Sequence, residues 1–261
     1  MKNLLNSMII LPLALFGGSL LASTLVPAEI PAPSAGDAAG YEASSGFRPA
    51  DGRPALQYPA PPQFGAHGTF AAWVNLDEPM SASGPLFSAG TPDTGWLLLQ
   101  VNEGKLTLLI QRGVKPFGGD GECYINMSAP IDSWSPNSWH HVAAVWDYQG
   151  PAQSLVALFL DGEIVEERET ATLAAEWGPD MLHVGSSSAS AATPRVPGTL
   201  DGVAVFPYAV TPGQVKGLMT SEVQGAAIFA DFESGTDALD LRGGVDDAAA
   251  RAESRAKWSS R

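Results

Sequence analysis

Cysteine and basic residues are scarce in this chain of 261 residues. Cys123 is its single cysteine, so no intrachain disulfide can form. The 14 Lys and Arg residues are outnumbered by 28 Asp and Glu, which gives a formal net charge of -14. A charge of that sign argues against electrostatic binding to nucleic acid or to anionic membranes. After the apolar run at the N-terminus, no second run reaches the length that spans a bilayer.

Motifs that carry catalytic chemistry are also missing. The sequence has no Gly-x-Ser-x-Gly, no phosphate loop and no dinucleotide fingerprint. Cys123 has no basic neighbour that would lower the pKa of its thiol, which favours a small buried side chain over a nucleophile. The histidines do not show the H-x-H or H-x-x-x-H spacing of metal ligands; they are His67, His140, His141 and His183.

The adjacent histidines of "WHHVAAVWD" need a separate interpretation. Side chains alternate between the two faces of a strand, so His140 and His141 are predicted to point to opposite sides. Two such residues cannot hold one metal ion together. We therefore expect strand histidines with satisfied hydrogen bonds and no catalytic role.

Four regions follow from composition. Residues 1–28 have a lone Lys2 before an apolar run and then small residues, which predicts a signal peptide cleaved between about residues 22 and 28. An uncleaved membrane anchor is the alternative, which Pro12 and the Gly17-Gly18 pair weaken by breaking the run. Residues 29–46 are rich in Pro, Ala, Ser and Gly, which predicts a flexible linker. Residues 47–244 are expected to form a β-sandwich, and residues 245–261 a polar, dispensable tail.

What the chain has in abundance is turn residues and short apolar runs. Its 28 glycines and 21 prolines suit many short strands. Asp161-Gly162 predicts a type I′ hairpin turn, and Glu103-Gly104 another tight turn. One helix is expected after Thr211, an N-cap followed by Pro212 and by Gln214 of a capping box. The predicted strands cover residues 69–75, 84–90, 95–102, 105–111, 139–147, 154–161, 163–170, 181–187 and 198–206. The fold class is therefore all-β, a two-sheet antiparallel jelly-roll sandwich with one short helix.

The order of these motifs carries a resemblance. "TFAAWVN", "PLFSAG", "WHHVAAVWD", "LFLDGEIV", "LHVG" and "GTLDGVAVFPYAVTPGQVKGL" follow one another between residues 56 and 219. This series resembles the laminin G-like group of the concanavalin A-like lectin and glucanase superfamily. The resemblance implies a two-sheet jelly roll. It implies less about function, because the fold is shared by lectins, adhesion modules and glycosidases.

The sequence departs from the family pattern in two places. The Asp-Glu step of the family reads Asp201-Gly202 here, and no opening strand is obvious before Leu56. The Glu-x-Asp strand of the glucanase relatives, which places two carboxylates on one face, is absent from the chain. Near the C-terminus, "AAIFADFE" is either a displaced edge strand or the beginning of an unfinished second copy. Its alternating Ile228, Ala230 and Phe232 favour the edge strand, because such a face needs a sheet to cover it.

Candidate site residues come from two sources. The resemblance implies that Asp201 helps to bind a structural Ca²⁺, with Asp231 or Asp240 as a further ligand; the alternative is that Asp201 caps a turn. The insert at residues 112–138 mixes glycines, carboxylates and aromatics, a combination that suits stacking on sugar rings and hydrogen bonding to their hydroxyls. The predicted ligand-binding residues are Asp120, Tyr124, Trp134 and Trp177, for each of which core or lid packing is the alternative.

These features predict an exported, periplasmic or extracellular, non-catalytic module that binds a glycan or a cell-surface protein. Two other classes stay open: a glycoside-active enzyme with an unfamiliar site, and a structural or adhesive component of an envelope. A sheet face with two carboxylates about 5–10 Å apart would favour the enzyme. An aromatic cluster at one rim would favour the binding module, and a large apolar outer patch would favour assembly.

Overall fold

The computed structural model describes residues 46–49, 56–61, 64–91, 95–111, 124–148, 154–170, 178–187, 195–220, 225–232 and 258. The expected signal peptide and nearly all of the expected linker lie outside these residues. So do Asp120, Cys123, Trp177 and Asp240. Within the described residues, no helix is long and apolar enough to cross a membrane.

The described residues form twelve strands and one helix. The strands are β1 (Leu56–Pro59), β2 (His67–Leu76), β3 (Ser83–Thr91), β4 (Gly95–Asn102), β5 (Lys105–Gln111), β6 (Tyr124–Pro130), β7 (Trp139–Asp147), β8 (Ser154–Leu160), β9 (Glu163–Thr170), β10 (Met181–Val184), β11 (Gly198–Phe206) and β12 (Ile228–Ala230), and the helix is α1 (Pro212–Gly217). All strand pairs are antiparallel. The first sheet has the order β1-β10-β3-β4-β5-β6, and the second has the order β12-β11-β2-β7-β8-β9. This arrangement confirms the all-β sandwich predicted from the sequence.

Strand patterning explains why the two sheets differ. Strands β7 and β8 read as nearly continuous apolar runs, and both of their faces are buried. Strand β5 alternates between buried and partly exposed residues, as expected of a strand with one face on the core. The main core lies between the sheets, where the Phe70 and Phe87 rings stack at 4.3 Å.

A second apolar cluster covers the outer face of the second sheet. Ala143 and Phe159 of the sheet pack there with Val215 of α1 and with Trp258. The Trp258 indole is 8% exposed, and its Nε1 donates to the carbonyl of Val210 at 3.0 Å. Trp258 therefore corrects the expectation of a wholly dispensable tail. The polar residues that surround Trp258 in the chain gave no indication that its large apolar side chain packs on a sheet face.

Local chemistry at the turns and the helix matches the sequence. Asp161 and Gly162 have φ angles of 48° and 79°, both positive as a type I′ turn requires. The Thr211 hydroxyl accepts from the Gln214 N–H, and the Gln214 side chain accepts from the Thr211 N–H, which completes the capping box. Pro212 occupies the first turn, as predicted.

Three strands, β1, β6 and β12, were not clearly assigned from the sequence. Strand β12 pairs with β11, which confirms the displaced edge strand; Ile228, Ala230 and Phe232 lie in the main core. Strand β1 begins at Leu56 and pairs with β10, although no opening strand is obvious from the residue pattern. Strand β6 lies inside the stretch that was interpreted as one long insert, where it forms an edge of the first sheet.

The two sheets meet along the edges formed by β6 and β9. The Ser128 N–H of β6 donates to the Glu166 carboxylate of β9 at 2.8 Å. The Arg168 guanidinium pairs with the other oxygen of Glu166. A backbone donor on an edge strand is thus satisfied by a side chain of the opposite sheet.

Candidate functional site

The outer face of the first sheet is the candidate site. The corresponding face of the second sheet is covered by α1, Val210 and Trp258. On the first sheet, side chains that alternate with the core residues point away from the core. They include His183 of β10, Trp96 of β4 and Leu109 of β5, all partly exposed.

Strand register places these side chains in rows across the sheet. One row runs through Gln57, His183, Ser88, Leu98, Leu109 and Asn126. Beside it, a second row runs through Gly90, Trp96, Gln111 and Tyr124. A third contains Gln100, Thr107 and Ser128. Directly opposite residues on neighbouring antiparallel strands have Cβ atoms about 4.5–5.5 Å apart, so neighbours in a row can contact one another. In the first row Ser88 and Leu98 are buried, while the other residues are at least partly exposed.

The composition of this face differs from that of the chain as a whole. None of the six strands of the first sheet contains Asp or Glu, although the chain has 28 such residues. The strands of the second sheet contain Asp147, Asp201 and four glutamates of β9. The strands of the first sheet therefore carry amides, hydroxyls and apolar groups, and the carboxylates lie on the strands of the second sheet and outside the sheets.

Two nitrogens on this face have no hydrogen-bond partner among the described residues. They are Trp96 Nε1 and His183 Nδ1, and both are shielded from solvent. Burial lowers the pKa of His183, and the nearby positive charge of Arg195 lowers it further, so the imidazole is neutral at pH 7. A neutral imidazole presents one donor and one acceptor. An unpaired buried polar atom costs about 1–3 kcal/mol, so both nitrogens are expected to lower the stability of the fold unless they gain a partner.

Gly90 leaves room beside the Trp96 indole. Gly90 lies directly opposite Trp96 across β3 and β4, and its φ of 73° suits glycine. Because it carries no side chain, Gly90 itself does not pack on the cross-strand flank of the indole. The indole is partly exposed, and an exposed aromatic ring can stack on a flat apolar surface such as the C–H face of a sugar ring.

The predicted ligand residues relate to this face in different ways. Asp120 and Trp177 lie outside the described residues. The backbone of Tyr124 stands opposite Gln111, in the row that contains Trp96. Asp120 belongs to the segment that connects Gln111, at the end of β5, to Tyr124, at the start of β6. Both ends of that segment therefore lie at the edge of the face beside Trp96, which we call the Trp96 rim.

Trp134 does not join this rim. It follows β6, whose Pro130 end pairs with Lys105 at the far end of the sheet. Its indole is 7% exposed and stacks on the His140 ring at 4.1 Å. Sequence proximity grouped Trp134 with the insert, but the intervening strand carries it away. Its role in ligand binding stays a prediction that the geometry does not support.

His140 belongs to a hydrogen-bonded chain. Its Nδ1 lies 2.9 Å from Asp161 Oδ2, and its Nε2 lies 2.9 Å from Ser138 Oγ. This order of groups resembles a Ser-His-Asp triad. However, Ser138 Oγ donates to the Ser135 carbonyl at 2.6 Å, so its hydrogen is directed to a carbonyl rather than to the imidazole. These hydrogen bonds connect the residues just before β7 to the turn between β8 and β9. We therefore do not assign Ser138 as a nucleophile.

His141 points to the other face, as the alternation predicted. Its Nδ1, like that of His183, has no hydrogen-bond partner among the described residues, which corrects the expectation of satisfied hydrogen bonds. Its ring meets Trp73 edge-on at 5.3 Å, and it is 1% exposed. Burial lowers the pKa of His141 to about 4, against a smaller opposing effect of the Asp161 charge. His141 is therefore neutral at pH 7.

Asp201 lies on β11, opposite Trp73, beside a register shift. It is 1% exposed, and its Oδ1 accepts from the Gly202 N–H at 2.7 Å, as expected of a residue that stabilises a local turn. Among the described residues, no group of three His, Cys, Asp or Glu side chains is placed to hold a metal ion. The calcium site at Asp201 stays a prediction.

Sequence reasoning missed the residues that dominate this face. Trp96, Leu98 and Gln100 were assigned correctly to a strand but not to an outward face. The alternation of side chains in "GWLLLQVN" contains the signal. Trp96, Leu98 and Gln100 occupy alternate positions, so their side chains lie on the same face of the strand. What the sequence could not show is which sheet α1 and Trp258 cover.

Comparison with known proteins agrees with the fold. The model of a laminin G family, described as belonging to the concanavalin A-like lectin/glucanases superfamily, matches residues 51–216, more than half of the chain. No curated protein sequence matches the chain.

Solved structures align with this chain at low sequence identity. A Bacteroides ovatus protein, provisionally described as carbohydrate-binding, aligns over 76% of this chain and 53% of its own, with 16% identity and a TM-score of 0.50. This chain therefore spans about half of that protein. Domain 4 of the arabinanase AbnA from Geobacillus stearothermophilus, solved with arabinotriose, aligns over 66% of this chain and 75% of its own, with 19% identity and a TM-score of 0.48. A heptameric pentraxin from Limulus polyphemus aligns over 67% and 79%, with 18% identity and a TM-score of 0.48. The chain belongs to the laminin G-like family of the concanavalin A-like lectin/glucanases superfamily.

Proposed function

We propose that this protein is an exported, non-catalytic module that binds carbohydrate on the outer face of its first sheet. The observation that carries the proposal is the partly exposed Trp96 indole, set among amides and hydroxyls on strands that carry no carboxylate. Aromatic surface with a few oriented polar groups is the usual composition of a small-ligand site. The family match is consistent with this proposal.

The non-catalytic part of the proposal rests on the same composition. Hydrolysis of a glycosidic bond generally uses two carboxylates that flank the scissile bond. The strands of the first sheet supply none. Export rests on the sequence of residues 1–28, which has the features of a signal peptide.

Binding to a glycan array, run with and without calcium, tests this proposal. Trp96→Ala should weaken the binding of any glycan hit roughly tenfold, because losing a stacking contact of about 1.4 kcal/mol corresponds to that factor. Val165→Ala, which trims an exposed apolar residue of β9 on the second sheet, is the matched control and should bind like wild type. An empty array together with capture of a purified surface protein would replace the glycan by a protein ligand.

A further inference from the structure

The hydrogen-bonded chain of Ser138, His140 and Asp161 lies outside the proposed binding site, and its donors and acceptors can be assigned atom by atom. Asp161 Oδ1 accepts from the His141 N–H at 2.8 Å, and Asp161 Oδ2 lies 2.9 Å from His140 Nδ1. An ionised carboxylate only accepts hydrogen bonds. His140 Nδ1 therefore carries a hydrogen and donates it to Asp161.

The other ring nitrogen of His140 meets a hydroxyl whose hydrogen is already used. Ser138 Oγ lies 2.6 Å from the Ser135 carbonyl, which has no hydrogen of its own, so the hydroxyl is the donor in that contact. His140 Nε2 lies 2.9 Å from the same Ser138 Oγ. With the hydroxyl hydrogen directed to Ser135, this second contact is a hydrogen bond only when Nε2 is the donor. All of these hydrogen bonds therefore form at once only when both ring nitrogens of His140 are protonated.

A positive charge on the His140 ring has two favourable neighbours. The Asp161 carboxylate is in direct contact with it, and the Trp134 indole stacks on it with ring centroids 4.1 Å apart and ring planes 4° apart. The face of an aromatic ring attracts a cation at this distance. The His140 side chain is 18% exposed, so solvent can deliver and remove the proton.

Among the described residues, Asp161 is the charged group in direct contact with His140. The other charged or titratable side chains on the elements around His140 are Glu163 and Lys216, which pair with each other, Asp77, which pairs with Arg48, the exposed Asp132, and His141, which points to the opposite face. The protonation of His140 is therefore tied most directly to its hydrogen bonds with Asp161 and Ser138.

We propose that this chain is a pH-sensitive switch that sets how tightly the segment from Ser135 to Ser138 is held. When His140 is protonated, the Ser138 hydroxyl donates to the Ser135 carbonyl and accepts from His140. When His140 loses its Nε2 proton to solvent, that nitrogen becomes an acceptor, and the Ser138 hydroxyl turns away from Ser135 to donate to it. The Ser135 carbonyl then keeps the Ser138 N–H, at 3.2 Å, as its donor. The segment between Trp134 and β7 thus loses one hydrogen bond as the pH rises, whether or not the protein binds carbohydrate.

The stability cost of removing the Ser138 hydroxyl tests the switch. Ser138→Ala removes two hydrogen bonds when His140 is protonated and one when it is neutral. The substitution should therefore lower the folding equilibrium constant about fivefold more at about pH 5 than at about pH 9, on either side of the range in which imidazoles titrate. His140→Phe is the matched background, because it keeps a ring against Trp134 but does not titrate. In that background the cost of Ser138→Ala, measured by urea denaturation, should be the same at both pH values.

Nitrogen NMR of the His140 ring in the wild-type protein is a second test, which needs no substitution. Both ring nitrogens should carry hydrogens at about pH 5, and Nδ1 alone at about pH 9. A neutral ring at the lower pH, or a hydrogen still on Nε2 at the higher pH, would overturn the switch. An equal cost of Ser138→Ala at the two pH values would do the same. So would a pH-dependent cost that persists in the His140→Phe background, because another group would then be responsible.

Discussion

His140 and His141 show that two adjacent residues of one strand can have entirely different surroundings. Both sit in the same strand, yet His140 forms a hydrogen-bonded chain beneath Trp134 while His141 is buried on the opposite face against Trp73. Their chemistry follows from surroundings that alternate with period two. Neither touches the Trp96 rim, so both are expected to affect stability rather than binding.

Replacing His140 should therefore destabilise the fold without changing glycan affinity. His140→Ala removes hydrogen bonds to Asp161 and Ser138 and the stack on Trp134, a loss of about 1–3 kcal/mol. Urea denaturation measures the stability, and calorimetric titration of the folded protein measures the affinity. A variant with wild-type stability but weakened binding would place His140 in the site.

His141 should make stability depend on pH in the acid range. Its pKa is about 4 in the folded protein and 6.5 in the unfolded chain. Between those values the unfolded chain binds a proton that the folded protein does not, so the free energy of unfolding should fall by about 1.4 kcal/mol for each pH unit lowered. Above pH 6.5 both states are neutral and this dependence should disappear.

The pH dependence can be assigned with His141→Phe. The variant should lose most of the slope between pH 6.5 and 4 and keep a remainder from His183, whose pKa is also lowered. Chemical denaturation at several pH values gives the slope directly. An unchanged slope in the variant would assign the proton to another group.

At the scale of the elements, the sequence predicted most of the strands and their turns. Asp161-Gly162 and the Thr211 capping box are local signals, because their chemistry involves residues adjacent in the chain. Strand β6 was missed because its alternating residues lie between two stretches rich in turn residues. The Trp96 site was missed because its exposure depends on which sheet α1 and Trp258 cover, and that is set by tertiary packing.

Gly68 illustrates a contact that the strand pattern cannot reveal. It pairs with Trp146, and a Cβ at this position would lie 2.2 Å from the indole. Gly68→Ala should displace a fully buried ring and destabilise the protein by at least about 1–3 kcal/mol. Gly213→Ala is the control: its Cβ enters open space in the first turn of α1 and should stabilise the protein by about 0.5–1 kcal/mol. Thermal melting of both variants should show shifts of opposite sign.

Two truncations separate the contributions of the C-terminal region. Ending the chain after Gly244 removes Trp258 and should cost about 2–3 kcal/mol from lost burial in the second cluster. Ending it after Gly225 also removes β12 and the buried Phe232, and should cost several kcal/mol more.

Trp258→Ala in the full-length chain is the control for the shorter truncation. It should lose about as much stability, because the other residues of the tail are polar or small. If the truncation after Gly225 melted with the full-length protein, the pairing of β12 with β11 would contribute nothing.

At the scale of the molecule, charge and packing are divided between the two sheets. The second sheet carries the acidic edge strand β9, the helix and a second apolar cluster. The first sheet carries a neutral polar face. A salt change should therefore alter stability through the acidic regions while leaving binding at the neutral face nearly unchanged.

Calcium is tested on the whole protein by melting. If Asp201 is a ligand, stability should rise with free calcium as RT ln(1 + [L]/Kd), about 2.7 kcal/mol at a hundredfold excess over Kd. Asp201→Asn should abolish that increment and cost little in chelator. Superimposable melting curves of the wild type in chelator and in calcium would leave Asp201 as a turn residue alone.

The Glu166 carboxylate that accepts from Ser128 has a consequence for crowding on a polymer. A repetitive glycan would gather many copies of this module side by side, at local concentrations where exposed strand edges join into larger sheets. Here the Glu166 carboxylate accepts a hydrogen bond from a backbone N–H of the β6 edge. The neighbouring glutamates of β9 give every copy a negatively charged edge. Adjacent copies should therefore repel along these borders and remain separate, free to dissociate one at a time.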